Sequence, residues 1–184
     1  MNHKDNRRVK LTKQLLKDSF CERLEQESIH EISVRTLCDN ADINRCTFYK
    51  YYDSPYDLLK EMEDDFLEEI EKSLAVGNVQ TTNRLAHILC YIKSNHKICK
   101  LLLNSNIDPD FPKRLLNLPS IMQNMNEIIS VSDDSFEISY LHDFMLYGGY
   151  QIIKRWVNED CRIPPEKMAF IVENVFRKLT FISL

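Results

Sequence analysis

Residues 33–52 read SVRTLCDNADINRCTFYKYY, and this stretch predicts two short helices joined by a tight turn. Ser33 stands where an N-cap is needed, because its hydroxyl can accept a hydrogen bond from a free backbone N–H of the first helix. Asn44 caps the second helix in the same way. Between them, Asp42 falls where the chain needs a positive φ, which Asp tolerates better than most residues. The pattern indicates a helix-turn-helix.

The second of these helices carries side chains suited to a nucleic acid and no acidic one. A helix-turn-helix places its second helix in the major groove of DNA. Arg45 is the best candidate for a base edge, because its planar guanidinium matches guanine O6 and N7, and Lys50 is the next. The hydroxyls of Thr47, Tyr49 and Tyr51 suit phosphate oxygens. Double-stranded DNA is the partner that these residues predict.

The preceding helix offers two further contacts, since Ser33 and Arg35 at its start can reach the groove rim or the backbone. The alternative is a helix-turn-helix that serves only as a packing unit, because aromatic residues at helical spacing are more often core than recognition surface. Phe48 and Tyr52, four residues apart, are expected in the core. Tyr49 cannot share that face, so part of the aromatic run is expected to be exposed.

The caps and the run Thr47-Phe48-Tyr49-Lys50-Tyr51-Tyr52 resemble the DNA-binding domain of TetR-family transcriptional regulators over roughly residues 8–70. The resemblance implies an all-α homodimer with an N-terminal three-helix DNA-binding domain and a C-terminal domain for dimerisation and ligand sensing. It also implies that operator DNA is contacted by Ser33, Arg35, Asn44, Arg45, Thr47, Tyr49, Lys50 and Tyr51. The chain departs from the usual family pattern where Asp42 and Cys46 replace glycines and where Pro55 replaces a lysine near a phosphate.

The remaining sequence predicts an all-α protein of about nine helices. Ser54, Pro55 and Asp57 start a long helix that ends at Val76-Gly77-Asn78, where glycine supplies the stop. We therefore assign residues 1–55 to the helix-turn-helix domain, 56–76 to a connecting helix and 77–184 to a C-terminal helical bundle for ligand sensing and dimerisation. The other helices are predicted at residues 8–26, 81–94, 96–105, 113–130 with an interruption at Leu118-Pro119, 134–158 and 165–182.

Composition agrees with helices, because 43% of the 184 residues are apolar and only 3 are glycine. Charge is uneven: residues 1–20 hold six basic and two acidic groups, a net of +4, and residues 56–76 hold eight acidic and two basic groups, a net of −6. A basic arm beside the motif favours phosphate, and the acidic helix is expected to face away from it. No apolar run approaches the ~20 residues that span a bilayer and no signal peptide opens the chain, so we expect a cytoplasmic protein without membrane contact and with its six cysteines as thiols.

The last two helices are apolar around more of their circumference than a surface helix needs. The pair Gly148-Gly149 in mid-helix costs about 1 kcal/mol per glycine relative to Ala, which a close helix–helix approach offsets. One interpretation is a four-helix bundle made by two chains, and the other is a larger core within one chain. The Gly-Gly … Trp-Val pattern also resembles the C-terminal domain of a Gram-positive-type subgroup of the same family. The residues assigned to the dimer interface are Gly148, Gly149, Ile152, Trp156, Phe170 and Val175.

The resemblance further implies an unknown small-molecule ligand between the helices of residues 81–158. Its expected lining, each member of which is also explained as core, is Ile92, Leu103, Met122, Met125, Phe144 and Tyr147. The pairs His87-x-x-Cys90 and His96-x-x-Cys99 have a spacing that a metal would use, although their apolar neighbours favour packing. No phosphate loop, nucleophile elbow or H-E-x-x-H occurs, so neither an enzyme nor a cofactor or metal is expected.

These patterns predict a homodimeric transcriptional regulator, acting as a ligand-responsive repressor on a palindromic operator. The alternative is an adaptor or coactivator of the same fold, with weak or no DNA binding, that works through a protein partner. Asp42, Cys46 and Pro55 favour that alternative. A third hypothesis is a thiol or metal sensor that uses Cys90 and Cys99.

Overall fold

The computed structural model describes residues 3–75, 81–104, 108–129 and 135–180, and every regular element within these ranges is an α-helix. The expectation of an all-α fold is therefore confirmed. In chain order the helices are α1 (His3–Leu24), α2 (Val34–Ala41), α3 (Arg45–Phe48), α4 (Pro55–Ala75), α5 (Thr81–Ser94), α6 (His96–Asn104), α7 (Phe111–Leu116), α8 (Pro119–Ile129), α9 (Ser135–Asn158) and α10 (Pro165–Thr180).

The ten helices of the described part exceed the expected nine, because the segment predicted at residues 113–130 forms α7 and α8. Pro119 opens α8 at a position where its missing N–H is not needed. The last turn of α7 is closed by the N–H of Asn117, which donates to the carbonyl of Lys113 at 3.1 Å. The predicted helix stop at Val76-Gly77-Asn78 and the first residue of the helix predicted at 134–158 lie outside the described residues.

The chain separates into two compact units, Met1–Asp65 and Phe66–Leu184. The division falls within α4, whose first half belongs to the first unit and whose second half belongs to the second. The domain boundaries assigned from the sequence stay a prediction.

The core of the first unit joins all four of its helices. Its fully buried side chains include Leu16 and Phe20 of α1, Leu37 of α2, Phe48 of α3 and Leu58 of α4. Leu16 and Phe20, four residues apart, define the inward stripe of α1. Leu11 and Leu15 lie outside this stripe, because their side chains are 62% and 41% exposed.

The turn between α2 and α3 is held by Asp42, whose φ of 53° and ψ of 44° lie in the left-handed region. The expected positive φ is thereby confirmed. This conformation lets the N–H of Ile43 donate to the carbonyl of Cys38 at 2.9 Å, which satisfies a free carbonyl at the end of α2. Asp42 thus adopts the left-handed conformation that glycine usually adopts at such a turn, and an aspartate pays a higher conformational free energy for it than glycine.

In the second unit, α5 packs along α10 more extensively than any other pair of helices. Leu89, Phe111, Met145, Trp156 and Val157 are each 1% exposed or less. The indole N–H of Trp156 donates to the carbonyl of Ile163 at 2.9 Å, so the polar atom of the largest buried side chain is satisfied.

Replacing Asp42 tests the left-handed turn. Asp42→Val is expected to unfold more easily than Asp42→Gly by about 1–2 kcal/mol, because a β-branched side chain clashes with the backbone at this φ. Urea denaturation followed by circular dichroism measures the difference. Both variants lose the carboxylate, so equal stabilities contradict the role assigned to the backbone conformation.

Candidate functional site

The candidate nucleic-acid interface is built on α3, which is a helix of only four residues followed by a turn. The side-chain oxygen of Asn44 accepts from the N–H of Cys46 at 2.8 Å, so the predicted cap is confirmed. After α3 the N–H groups of Tyr51 and Tyr52 both donate to the carbonyl of Phe48, at 2.9 and 3.0 Å. The predicted second helix over residues 44–52 is therefore one helical turn plus a tight turn, which we call the recognition segment.

The recognition segment is fixed from beneath by two aromatic rings. Phe48 is 0% exposed and Tyr52 is 4% exposed, with 5.5 Å between their ring centroids. The interpretation of these two residues as core is confirmed. Because they occupy the inner face, Tyr49 and its neighbours must occupy the outer one, and Tyr49 is 57% exposed.

All eight residues assigned to DNA contact have some solvent exposure. The exposed members are Ser33, Arg35, Asn44, Arg45, Tyr49 and Lys50, and the half-buried members are Thr47 and Tyr51. Ser33 and Asn44 also cap α2 and α3, so their side-chain oxygens already accept backbone hydrogen bonds. Arg35 lies 3.6 Å from Asp39, whereas Arg45 and Lys50 have no ion pair within the described residues. These two are the strongest cationic candidates for a nucleic acid.

A polar network, whose members are mostly half-buried, joins the recognition segment to α1 and α4. The carboxylate of Glu61 accepts from the Tyr52 hydroxyl at 3.0 Å and pairs with Lys13 at 2.5 Å. Lys17 lies 3.0 Å from Glu61 and 2.5 Å from Asp65. The ammonium group of Lys13 also lies 5.4 Å from the centroid of the Tyr52 ring. No sequence pattern indicates this role of Glu61, since only the folded chain brings residues 13, 52 and 61 together.

The contacts within this network shift the pKa values of Glu61, Lys17 and Tyr52. Burial tends to raise the pKa of Glu61, but the hydrogen bonds from Lys13, Lys17 and Tyr52 outweigh it and hold the pKa below its ordinary value. Burial tends to lower the pKa of Lys17, but its hydrogen bonds to Asp65 and Glu61 outweigh it and raise the pKa. Burial and the neighbouring Glu61 raise the pKa of Tyr52, so its hydroxyl remains a hydrogen-bond donor.

The network also reduces the charge that the basic arm, residues 1–20, can offer to phosphate. Lys13 and Lys17 belong to this arm, and both are paired with carboxylates of α4. The acidic residues of α4 are correspondingly not all on an outward face. At the start of α4, the hydroxyl of Tyr56 forms a hydrogen bond with Nδ1 of His30, a contact that no sequence pattern indicated.

In the second unit a cavity of about 180 Å³ is lined by residues of every helix from α4 to α10. Of the side chains predicted to line a ligand site, Ile92, Leu103 and Met125 line this cavity, and their contact with a ligand stays a prediction. Met122 packs instead against the adjoining apolar cluster that contains Met145.

The other two predicted lining residues require correction. Phe144 and Tyr147 are 62% and 55% exposed and do not line the cavity. The inward face of α9 is formed by Met145, Leu146 and Gly149, so the helical period turns Phe144 and Tyr147 outward.

Two of the residues assigned to a dimer interface lie inside the protomer. Trp156 is 1% exposed, and a Cβ on Gly149 would lie 2.9 Å from the ring of Phe176, so this glycine permits a close contact within the chain. Their assignment to a surface between chains is corrected for that reason. Phe170 and Val175 are exposed, whereas Gly148 and Ile152 are half-buried. A Cβ on Gly148 would meet nothing within 4 Å.

The two His–Cys pairs differ in their surroundings. His87 and Cys90 are exposed, whereas Cys99 is fully buried. Nε2 of His96 lies 2.8 Å from the carbonyl of Val157. Over the described ranges, no three side chains of His, Cys, Asp or Glu are grouped to hold a metal ion. Within the same ranges, no helix has both the length and the apolar character to cross a membrane.

Glu61→Gln tests whether the network holds the recognition segment. A carboxylate whose folded pKa is depressed stabilises the fold above its unfolded pKa, and this stabilisation is lost as the pH falls through the folded pKa. We expect the substitution to lower the free energy of unfolding by about 1–2 kcal/mol at pH 7, and to cost progressively less as the pH falls toward 3 and the carboxylate takes up a proton. Denaturant titrations of the unaltered protein and the variant between pH 3 and pH 7 measure this difference in the free energy of unfolding.

Asp39→Asn is the matched control, because the Asp39 side chain is 69% exposed and its one ion pair, within the part of the chain that the structure describes, is with Arg35 at 3.6 Å. It should change the stability by no more than about 0.5 kcal/mol at either pH. A cost of Glu61→Gln that does not depend on pH contradicts the electrostatic explanation.

Comparison with known proteins places the chain in a family. A family profile described as "Transcriptional regulator C-terminal region" matches residues 80–178, which are 99 of the 184 residues. The chain is similar to YxbF, an uncharacterized HTH-type transcriptional regulator of Bacillus subtilis (strain 168), with 21% identity over 162 residues. The match covers 84% of this chain and 42% of that protein, so the chain spans about two fifths of the length of this relative.

Solved structures share the fold. A TetR transcriptional regulator from Streptococcus agalactiae 2603V has a TM-score of 0.69 and 23% identity, with 96% of this chain and 97% of that chain covered. The dihydroxyacetone kinase operon activator DhaS has a TM-score of 0.61 and 20% identity, with 93% and 97% covered. The transcriptional regulator FadR from Bacillus subtilis, in complex with stearoyl-CoA, has a TM-score of 0.58 and 15% identity, with 89% and 96% covered.

The profile covers more than half of the chain, and the structural likeness extends over nearly all of it. The chain belongs to the TetR family of transcriptional regulators.

Proposed function

We propose that this regulator is a homodimeric, ligand-responsive repressor that binds a palindromic operator through the recognition segment. It acts in the cytoplasm, where its DNA target is found. The observation that carries the proposal is the exposure of Arg45, Tyr49 and Lys50 on a segment whose other face is buried.

Contact with DNA divides between bases and phosphates. Arg45 lies in the first turn of the recognition segment, the part that a helix-turn-helix brings to base edges, and its guanidinium suits guanine. Lys50, Thr47, Tyr49 and Tyr51 supply a charge and hydroxyls for phosphate oxygens. Ser33 and Arg35 at the start of α2, and Asn44 at the start of α3, add further contacts with DNA. Because the side chains of Ser33 and Asn44 cap these helices, these two residues contribute chiefly through the backbone around them.

A twofold dimer is supported by an exposed apolar stripe on α9. Tyr140, Phe144 and Tyr147 are 75%, 62% and 55% exposed and follow the i, i+4, i+7 spacing of one helix face. Phe170 and Val175 of α10 add exposed apolar surface. Surface of this kind is costly to leave in water and is typical of an interface. Two copies of the recognition segment then meet half-sites about one helical turn apart or more.

Ligand control is supported by the cavity of the second unit. Phe66, Ile70 and Leu74 of α4 line this cavity, and α4 is the same continuous helix that begins in the first unit at Pro55. A ligand that favours one position of α4 over another shifts the population of DNA-binding dimers.

A second candidate function is an adaptor or coactivator with weak DNA binding. The pairing of Lys13 and Lys17 with carboxylates favours it, because those cations are then less available to phosphate. Pro55 favours it too, since it offers neither charge nor N–H at the start of α4. The two candidates differ in whether the isolated protein binds duplex DNA.

Arg45→Ala tests the repressor proposal. On duplexes recovered by selection from a random pool, it is expected to weaken binding by about 1–3 kcal/mol, because a base contact is lost. Lys50→Ala is expected to reduce the slope of log K against log salt by about one. Fluorescence anisotropy between low and physiological salt measures both effects.

Arg155→Ala provides the charge-matched control, since Arg155 lies on α9 and pairs with Glu159 at 2.8 Å. It should leave DNA binding unchanged. If the unaltered protein does not bind duplex DNA even at low salt, the adaptor is favoured; if both arginine variants behave alike, the recognition segment does not contact DNA.

Phe144→Glu tests the dimer. A charge in the middle of the α9 stripe is expected to convert the dimer to a monomer, or to raise its dissociation constant at least about a hundredfold. Light scattering after gel filtration measures the mass. Leu11→Glu is the control, because Leu11 is also 62% exposed but lies on α1. Equal effects of the two variants, or none, contradict the assignment of this face.

A further inference from the structure

The cavity of the second unit is apolar over most of its wall and polar at a few places. Phe66, Ile88, Met125, Met145 and Phe176 are among its apolar lining. The polar side chains that reach it are Arg84, Asn124, Tyr150 and Glu173. The chemistry of a ligand must therefore be decided by these four groups.

Two of the four groups already have their partners. The hydroxyl of Tyr150 donates to the carbonyl of Leu103 at 3.0 Å. The side chain of Asn124 accepts from Nη1 of Arg84 at 3.0 Å and donates to the carbonyl of Ser120 at 2.7 Å. Neither side chain needs a further partner from a ligand.

Each of the other two side chains has one atom without a hydrogen-bond partner among the described residues. Nε of Arg84 and Oε1 of Glu173 are buried, and neither atom has a hydrogen-bond partner among the described residues. Buried polar atoms are nearly always paired, because an unpaired one has lost its water and gained nothing. One is a donor and the other an acceptor, so they are open to a group that can accept and donate at once, or to two such groups.

We infer that the cavity binds a neutral, mainly apolar organic molecule that carries a hydroxyl or amide group, recognised by Arg84 and Glu173. This inference rests on the proposed ligand-responsive function and names the chemical class of the ligand.

Size and charge define the class further. An apolar cavity of about 150 Å³ holds benzene, so a cavity of 180 Å³ suits a molecule of roughly six to ten non-hydrogen atoms. Arg84 and Glu173 contribute one formal charge of each sign, so an anion meets repulsion from Glu173 and a cation meets repulsion from Arg84. A hydroxyl accepts from the first and donates to the second without adding charge.

Four probes of similar size test the inference: benzyl alcohol, toluene, benzoate and benzylamine. Benzyl alcohol is expected to bind about tenfold more tightly than toluene, because it pairs with charged groups that toluene leaves unpaired. Benzoate and benzylamine are expected to bind more weakly than benzyl alcohol. Calorimetric titration of the full-length protein without DNA measures the affinities. No binding of benzyl alcohol at millimolar concentration, or equal affinities for all four probes, overturns the inference.

The methionines report where the probe binds. Met125 and Met145 line the cavity, whereas Met168 is buried in the same unit but does not line it. With ¹³C-labelled methionine methyls, benzyl alcohol is expected to shift the signals of Met125 and Met145 and to leave that of Met168 unchanged. Shifts at Met168 alone overturn the assignment of the site.

Glu173→Gln separates recognition from structure, because glutamine keeps the shape and the acceptor oxygen but removes the charge. Benzoate is expected to bind this variant about tenfold more tightly than the unaltered protein, while toluene binding stays the same. Unchanged benzoate affinity contradicts the role of Glu173. DNA binding by Arg45→Ala is measured separately from ligand binding. A wrong assignment of the ligand therefore leaves the DNA-binding result unchanged, and a failure to bind DNA leaves the ligand affinities unchanged.

Discussion

A helix of four residues has no stability of its own, because forming the first turn restricts several dihedral angles for one hydrogen bond. The recognition segment exists only because Phe48 and Tyr52 are inserted into the core of the first unit. Their burial decides the orientation of every side chain between them. It turns Tyr49 and Lys50 outward, and it therefore creates the surface on which DNA binding is proposed.

The same segment is held by charge as well as by packing. Glu61 receives hydrogen bonds or ion pairs from Tyr52, Lys13 and Lys17, so α1, α4 and the recognition segment share one half-buried carboxylate. This arrangement sets Lys13 and Lys17 of the basic α1 against Glu61 and Asp65 of the acidic α4. Opposite charges that look like separate surface regions in the sequence neutralise each other within the fold, and less charge remains for phosphate.

The second unit illustrates how one helix serves two purposes. One face of α9, with Met145 and Gly149, lines the cavity, and the opposite face, with Phe144 and Tyr147, is exposed. An apolar residue on such a helix suits either a core or an interface between chains, and the residue type does not show which of the two it occupies. For this reason the sequence alone assigns Phe144 and Tyr147 to the ligand site and Trp156 to the dimer interface, whereas the structure exposes the first two and buries the third.

The sequence by itself determined the all-α fold, the caps at Ser33 and Asn44, and the left-handed turn at Asp42, because these depend on local backbone chemistry and on the period of apolar residues. Contacts between residues far apart in the chain were decided only by the tertiary structure. Two examples are the hydrogen bond between Glu61 and Tyr52 and the presence in one cavity of the Arg84 and Glu173 atoms that lack a partner among the described residues. Their positions depend on how whole helices pack, and helix packing is set by the summed shape of many side chains rather than by any local pattern.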